Sequence, residues 1–157
     1  MAGFDARALR DACGSFATGV TVISTTTEDG DHGMTANAFM SVSLDPPLIS
    51  ISLDRNSRML EKIRRSGRYA VSILAQDMEH VAMHFAGRHN PDLSGILERH
   101  DGLPVVPGAA AVFRADVEQE VEAGDHTLFI GRVTDVQRDQ TVSPLLFCNG
   151  RFGALAE

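Results

Sequence analysis

Cysteines, signal-like segments and long apolar runs are all scarce in this chain of 157 residues. Its two cysteines, Cys13 and Cys148, form no CxxC pair, which excludes a disulfide framework or a zinc ribbon and favours a reducing cytoplasm. The N-terminal stretch MAGFDARALRDACG carries Asp5 and Asp11 and lacks the continuous apolar segment of a signal peptide. Charged residues or histidine interrupt every apolar run before the roughly 18 to 20 residues that a membrane-spanning helix needs. We therefore expect a cytoplasmic protein that does not engage the membrane.

Positive charge is also in short supply. Fourteen Lys and Arg residues stand against twenty-one Asp and Glu residues, a net charge of −7, which argues against binding of nucleic acid. The cations cluster only between Arg55 and Arg68, where an exposed helix face is the simpler interpretation and a local anion site the alternative. The GxGxxG fingerprint and the Walker-type glycine-lysine loop are both missing, so any nucleotide is held in another way.

The remaining composition is that of a globular protein. The apolar content is 43% and the charged content 22%, and no repeat or linker-like stretch divides the chain, so one domain is expected over residues 1–157. Alternating β-branched and polar residues predict at least six strands, with two or three short helices between them. This pattern favours a mainly β fold, an antiparallel barrel with inserted helices, over a doubly wound sheet.

Local patterns place these elements along the chain. Helices are predicted where apolar residues recur every three or four positions, and strands where they alternate. The predicted helices cover 5–13, 57–66 and 77–85, with Asp5 as the first N-cap and Gly67 ending the second helix. The predicted strands cover 18–27, 34–43, 47–53, a segment around 71–73, 111–121, 128–136 and the tail 144–152. A turn is expected at EDGDHG, and a long loop from His89 to Gly108.

Three separated blocks carry the more specific signal. They are FATGVTVIS at 16–24, GMTANAFMSVSLDPPLISISLDRNSRML at 33–60 and GDHTLFIGRV at 124–133. Together and in this order they resemble the flavin reductase components of two-component monooxygenases, the FMN-binding split-barrel family. The resemblance implies a Greek-key-like, antiparallel split β-barrel and a homodimer whose flavin site lies between subunits. It also implies that FMN or FAD is reduced with NADH or NADPH and is then passed to a separate oxygenase component.

In the middle block, small residues follow Met34: Thr35, Ala36, Asn37 and Ala38. Small side chains let backbone N–H and C=O groups approach the polar edge of a flat ring, and the resemblance implies that residues 34–38 contact the isoalloxazine. Ala38 stands where the family usually has serine, so one hydroxyl contact to the flavin is expected to be missing. The alternative is an ordinary barrel strand whose small residues ease packing.

The end of the same block is predicted as a strand followed by a helix. Backbone donors and the positive end of a helix dipole then meet neighbouring cations, as an anion site requires. The resemblance implies that the flavin phosphate, or the FAD pyrophosphate, binds here. The cofactor-binding residues implied are Ser52, Leu53, Asp54, Asn56, Ser57 and Arg58, the last two at the anion. A helix cap flanked by surface arginines is the alternative, and the two roles are compatible.

The third block makes His126 the catalytic candidate, because the GDH histidine of the family lies near the flavin face on which the nicotinamide stacks. We expect His126 to position rather than to react, since the hydride passes directly from nicotinamide to flavin. Cofactor-binding roles are also implied for Phe85, Ala86, Gly87, Arg88 and Arg151.

Other chemistries have weaker support. His80 and His84 lie four residues apart, but no HExxH carboxylate and no third ligand accompany them, so no metal is expected. An FMN-binding storage or electron-transfer protein of the same fold shares every flavin residue and has less need of His126. An oxidase of the pyridoxamine-phosphate type needs more basic residues for its substrate than this sequence has.

Overall fold

The computed structural model describes residues 3–156. Its helices are α1 (Ala6–Gly14), α2 (Arg58–Ser66) and α3 (Glu79–His84), with a 3₁₀ turn at Pro91–Leu93. Its strands are β1 (Thr18–Gly19), β2 (Thr21–Thr27), β3 (Gly30–Ala36), β4 (Phe39–Leu44), β5 (Pro47–Asp54), β6 (Arg68–Ile73), β7 (Glu98–His100), β8 (Leu103–Val105), β9 (Ala111–Ala123), β10 (His126–Arg138), β11 (Leu146–Cys148) and β12 (Arg151–Gly153). Among these residues no helix has both the length and the apolar character needed to span a membrane.

Seven strands form one antiparallel sheet in the order β3-β2-β6-β9-β10-β5-β4. Laid flat, such a sheet would measure about 29 Å from edge to edge, at roughly 4.8 Å per neighbouring strand. Its edge strands β3 and β4 are nevertheless joined by Asn37 and Ala38 alone, a connection that reaches about 11 Å. The sheet therefore curls until its edges approach each other, and it forms a barrel that is split between β3 and β4. The predicted mainly β, antiparallel split barrel is confirmed.

Helix α2 packs its apolar face into the barrel core. Met59, Leu60 and Ile63 are buried in one cluster with side chains from the strands, and each fully buried side chain of this size contributes about 1.5–3 kcal/mol. The side chain of Ser57 accepts a hydrogen bond at the first turn, and Gly67, with φ of 74°, ends the helix. The predicted helix and its end at Gly67 are confirmed, and the structure places the cap at Ser57.

The predicted strand 34–43 is wrong in one respect, because strand pairing is interrupted at Asn37 and Ala38. There the chain leaves β3, which pairs with β2, and enters β4, which pairs with β5 on the opposite edge of the sheet. The predicted EDGDHG turn is also too long, since only Glu28 and Asp29 form it. Alternation of apolar residues does not reveal where a strand changes its pairing partner. It also does not show how far strand pairing extends into a polar turn, so neither boundary could be predicted from the pattern.

The loop predicted from His89 to Gly108 contains a small hairpin of β7 and β8, held to the barrel by the buried Leu103 and Val105. The predicted third helix is shorter, and the predicted tail strand is two strands joined by a turn. Strands β9 and β10 are longer than predicted, with 13 residues each. The two strands are longer than predicted because their backbone hydrogen bonds continue beyond the segment in which apolar and polar residues alternate.

Candidate functional site

A large cavity opens at the split of the barrel. Its volume is about 690 Å³. One wall is the end of β3 with the crossing towards β4, the second is α3 with the segment that follows it, and the third is the β11–β12 hairpin. The predicted site residues that line it are Thr35, Ala36, Asn37, Ala86, Arg88 and Arg151. Residues far apart in the sequence therefore share one cavity.

Most polar groups at the end of β3 are already paired within the protein. The Thr35 hydroxyl donates to the carbonyl of Ala82 at 2.6 Å, and the Thr35 N–H donates to the carbonyl of Phe85 at 3.1 Å. The Ala36 carbonyl accepts from a threonine hydroxyl of β2 at 2.7 Å. Asn37, in contrast, is exposed in the cavity wall. Because its amide is both donor and acceptor, Asn37 suits the polar edge of a heterocyclic ring.

Two arginines bring positive charge to this cavity. Arg88 follows Gly87, whose φ of 94° turns the chain after α3, and the Arg88 N–H donates to the carbonyl of Met83 at 3.1 Å. Arg151 is the first residue of β12. Both arginines are exposed, and guanidinium groups bind phosphate oxygens through charge-assisted, often paired, hydrogen bonds. In a chain with a net charge of −7, the cavity is a local cationic exception.

Four other predicted residues lie close to the cavity without lining it: Met34, Ala38, Phe85 and Gly87. Met34 and Phe85 pack against the two large core clusters. The Ala38 carbonyl accepts the N–H of Ser52 at 3.2 Å. That hydrogen bond ties the crossing between β3 and β4 to β5, whose end carries the predicted phosphate site.

The predicted phosphate site is built where β5 ends, and its residues do not line the large cavity. Leu53 is buried in the barrel core, so its side chain stabilises the fold rather than facing a ligand. The Asp54 carboxylate accepts the N–H of Asn56 at 2.8 Å, which shapes the turn into α2. Ser52 is half-buried beside the crossing strand. The segment therefore approaches α2 through a turn that its own side chains stabilise.

Ser57 and Arg58 stand at the start of α2. The Ser57 Oγ accepts the N–H of Met59 at 3.1 Å and lies 3.5 Å from the sulfur of Met34. The helix-cap interpretation of Ser57 is confirmed, and the phosphate role stays a prediction. Because a hydroxyl accepts and donates at the same time, the cap leaves the Ser57 proton for a second partner. Arg58 is exposed next to it.

His126 is the first residue of β10 and pairs with Asp54 of β5. The second and third sequence blocks therefore meet at this point. His126 lines a smaller cavity of about 190 Å³ together with Arg55 and Arg64, and it does not line the larger one. Its Nδ1 lies 2.7 Å from a carboxylate oxygen of Asp125, and this hydrogen bond lowers the pKa of Asp125.

Six further residues line the large cavity. They are Val20, Glu79, Met83, Phe147, Gly150 and Phe152. The rings of Phe147 and Phe152 face each other across the β11–β12 hairpin, with centroids 5.2 Å apart. The Asn-Gly dipeptide between them is a hairpin signal that places the two aromatic residues opposite each other.

His84 of α3 has partners in the segment that follows the helix. The Nδ1 of His84 accepts the N–H of Asn90 at 2.8 Å, and its ring centroid lies 4.7 Å from that of His89. Within residues 3–156, no group of three or more His, Cys, Asp or Glu residues is arranged to hold a metal ion.

The comparison with known proteins decides the family. The family model named flavin reductase like domain matches residues 13–156 of this chain. The chain belongs to this flavin reductase family. An NADH-dependent flavin reductase of Rhodococcus sp is 47% identical over 151 residues, which cover 94% of this chain and 85% of that protein. The reductase component of 4-hydroxyphenylacetate 3-monooxygenase from Thermus thermophilus is 36% identical over 140 residues, which cover 89% of this chain and 90% of that protein.

A solved structure supports the same assignment. The flavin reductase PheA2 in its native state has a TM-score of 0.93 to this chain at 49% identity, and the match covers 98% of this chain and 100% of PheA2. The flavin reductase resemblance drawn from the three sequence blocks is therefore confirmed. The matched region runs from the end of α1 through β12 and contains both cavities.

Proposed function

We propose that this chain reduces FMN or FAD with NADH and passes the reduced flavin to a separate monooxygenase component. The observation that carries the proposal is the cavity of about 690 Å³ at the barrel split, in a chain of the flavin reductase family. Ligand cavities typically measure about 300–1,000 Å³, so this one is large enough for a flavin ring system. The names of the Rhodococcus and Thermus relatives support both halves of the proposal, the NADH-dependent reduction and the monooxygenase partner.

The residues around the cavity fit a flavin. Phe147 and Phe152 offer apolar surface to the faces of the ring, and Asn37 offers a donor and an acceptor to its polar edge. Arg88 and Arg151 offer cationic donors to the phosphate groups of a second nucleotide beside it. A cavity with apolar walls and a few converging polar groups is the usual form of a cofactor site.

The reaction needs two anionic ligands at once, and the chain has two cationic places. We assign the flavin phosphate to the start of α2, at Ser57 and Arg58, as the sequence blocks suggest. The nicotinamide nucleotide then has Arg88 and Arg151 for its pyrophosphate. Two separated sites keep the like charges of the two ligands apart, which lowers their mutual repulsion.

Hydride transfer is chemistry that the bound nicotinamide and flavin supply, and the protein contributes binding, orientation and electrostatics. The cavity walls would hold the two rings next to each other and exclude water from between them. His126 lines the smaller cavity rather than this one, and it is the family resemblance that assigns it to the nicotinamide as a positioning group. Asp125 holds its Nδ1, so Nε2 is the ring atom that remains for a ligand.

Purified protein, mixed with NADH and an excess of FMN or FAD in air, is expected to consume NADH without any oxygenase. The measurement is the loss of absorbance at 340 nm, with flavin but no protein as the blank. Flavin binding without NADH oxidation would contradict the proposal and indicate a storage or electron-transfer protein.

The His126→Ala variant tests the assignment of the histidine. We expect a higher KM for NADH or a lower kcat, with the Kd for FMN nearly unchanged. Asp125→Asn is the matched variant, because it keeps the imidazole and alters only the partner of its Nδ1. Wild-type NADH kinetics in His126→Ala would remove the histidine from the site.

A homodimer in the cytoplasm is part of the proposal. The edge strand β4 exposes Met40, Val42 and Leu44, the last of them 95% exposed, and apolar patches of this kind mark interaction surfaces. Helix α1 buries none of its residues, which also fits a surface that a second copy covers. Both cysteines are unpaired thiols, as is usual in a reducing compartment.

A further inference from the structure

The end of α3 is fastened to the barrel by hydrogen bonds from one residue. The last carbonyls of a helix have no partner within the helix. At the end of α3, the carbonyls of Ala82 and of the C-cap residue Phe85 accept the hydroxyl and the N–H of Thr35, at 2.6 Å and 3.1 Å. Thr35 can reach them because β3 is an edge strand of the main sheet. One threonine therefore satisfies two carbonyls at the end of this helix.

A glycine on the same strand completes the contact. A Cβ on Gly33 would lie 2.9 Å from both Cδ1 and Cε1 of Phe85, closer than carbon atoms normally approach. The ring of Phe85 thus rests directly on the backbone of β3, and only glycine leaves it enough room. Gly33 and Thr35 act on the same end of α3, one through packing and the other through hydrogen bonds.

This contact fixes the distance between two walls of the large cavity. Thr35 belongs to one wall, while Ala86 and Arg88, which follow directly after Phe85, belong to the facing wall. If the end of α3 moved away from β3, Arg88 would move with it. The hydroxyl and the N–H of Thr35 are already donated to α3, so they contribute to the spacing of the walls rather than to hydrogen bonds with a ligand.

We propose that Thr35 is a positioning residue that, together with Gly33, clamps the end of α3 to β3 and so sets the width of the cofactor cavity. The proposal rests on the proposed function for the identity of the ligand, and on the structure alone for the clamp. Thr35→Val removes the hydroxyl and keeps the branched shape, Thr35→Ser keeps the hydroxyl, and Gly33→Ala displaces Phe85 without touching Thr35.

Hydrogen–deuterium exchange of the ligand-free protein measures the clamp itself. We expect Thr35→Val and Gly33→Ala to speed amide exchange in residues 82–88, and Thr35→Ser to resemble the wild type. Fluorescence quenching then measures the Kd for FMN, which we expect to rise about three- to tenfold in Thr35→Val and Gly33→Ala, since one neutral hydrogen bond is at stake. The double variant is expected to bind FMN no more weakly than the single variant with the higher Kd, because both changes release the same contact.

Other results would overturn the clamp. Weaker FMN binding by Thr35→Val with unchanged exchange in residues 82–88 would indicate that the hydroxyl binds FMN directly. The same conclusion would follow if the rise in Kd of the double variant equalled the product of the two single rises. Unchanged FMN binding in both single variants would show that the clamp does not set the cavity. If Thr35→Val does not fold, Gly33→Ala is judged alone by the same two measurements. Wild-type protein that binds no flavin would instead refute the proposed function and leave the exchange result standing.

Thr25→Val is the control for general loss of stability. Thr25 is a fully buried threonine of the neighbouring strand β2, and its hydroxyl donates to the carbonyl of Arg68 at 2.8 Å, just after the end of α2 rather than at α3. We expect this variant to lower the Tm while leaving the exchange of residues 82–88 and the Kd for FMN at their wild-type values. If the Kd for FMN rose as much in Thr25→Val as in Thr35→Val, the effect of Thr35→Val would be explained by a general loss of stability.

Discussion

At the scale of single residues, Ser57 illustrates how one hydroxyl serves both fold and function. Its oxygen accepts the N–H of Met59 at 3.1 Å and so caps α2. Its proton has only the sulfur of Met34, at 3.5 Å, as a partner, and sulfur is a weak acceptor. A phosphate oxygen is a far better acceptor, so the cap and the proposed anion site do not compete.

The Ser57→Ala variant separates these two roles. We expect loss of the cap to lower the free energy of unfolding by about 1 kcal/mol. A hydrogen bond to a charged group is worth roughly 1.5–3 kcal/mol, so FMN binding should weaken by about tenfold to a hundredfold. Riboflavin, which has no phosphate, should lose almost nothing. The Kd values come from fluorescence quenching, and equal losses for FMN and riboflavin would contradict the phosphate assignment.

His32 lies on β3 in a setting that disfavours its protonated form. Burial lowers its pKa, and the charges of Lys62 and Arg58 lower it further. In the unfolded chain His32 takes up a proton near the ordinary value of about 6.5, whereas in the folded chain it does so only at lower pH. Below the ordinary value the unfolded state therefore binds more protons, and protonation favours unfolding.

The stability of the wild type is therefore expected to fall as the pH is lowered from about 7.5 to about 5.5, with a contribution from His32. His32→Gln removes the titrating group and should make this decrease smaller. Urea unfolding at several pH values gives the comparison. Parallel pH dependences of the two proteins would show that His32 binds its proton equally well in both states.

At the scale of elements, the β9–β10 hairpin forms the centre of the main sheet and also positions His126 at the start of β10. The pairing of the two strands shifts register between Ile130 and Gly131. At this position the hairpin packs against Tyr69, a fully buried side chain whose hydroxyl donates to the carbonyl of Phe129 at 3.0 Å. Burial raises the pKa of Tyr69, so its hydroxyl stays protonated and keeps donating.

Gly131→Ala is expected to destabilise the hairpin. The added Cβ would lie 2.6 Å from the Tyr69 hydroxyl oxygen and 2.8 Å from the Cβ of Ala115, and overpacking of this kind costs about 1–3 kcal/mol. Gly153→Ala is the control, since within residues 3–156, apart from its two chain neighbours, no atom lies within 4 Å of its added Cβ. Thermal unfolding should show a Tm several degrees lower for Gly131→Ala only. Equal Tm values for the two variants would mean that the barrel relaxes around the methyl group.

At the scale of the whole molecule, the outward side of β4 is the feature that a single copy leaves unexplained. Met40, Val42 and Leu44 are exposed there, while Phe39 at the start of the strand packs inward against the core. A self-complementary contact between two copies is the commonest way to cover such a surface. The proposed dimer places this contact next to the barrel split, because β4 is one of its two edges.

Val42→Glu is expected to break the proposed dimer, because a carboxylate in an apolar contact is costly to bury. Light scattering of the wild type should give twice the chain mass of 16.9 kDa, and the variant should move towards the single mass. Val136→Glu is the matched control, since Val136 is an exposed valine on β10, outside β4. A wild type that is an active monomer would exclude the dimer.

Local sequence was sufficient to predict whatever depends on neighbours along the chain. Helix α2 begins after Ser57 and ends at Gly67 as predicted, because a cap hydroxyl and a left-handed glycine act within one helical turn. The strand β5 follows the alternation of apolar residues, because one side of it faces the core. The three blocks, read together, indicated the flavin reductase family, which the domain match confirms.

Only the tertiary structure decided which residues share the cavity and which polar groups are already occupied. Thr35 and Arg88 line the same cavity because hydrogen bonds join β3 to the end of α3, and Arg151 joins them from a separate hairpin. The Thr35 hydroxyl is donated to a carbonyl 47 residues away, a pairing that no local pattern encodes. The curled sheet results from many pairings of strands that are distant in the sequence, so the sequence determined the elements while the split barrel determined the site.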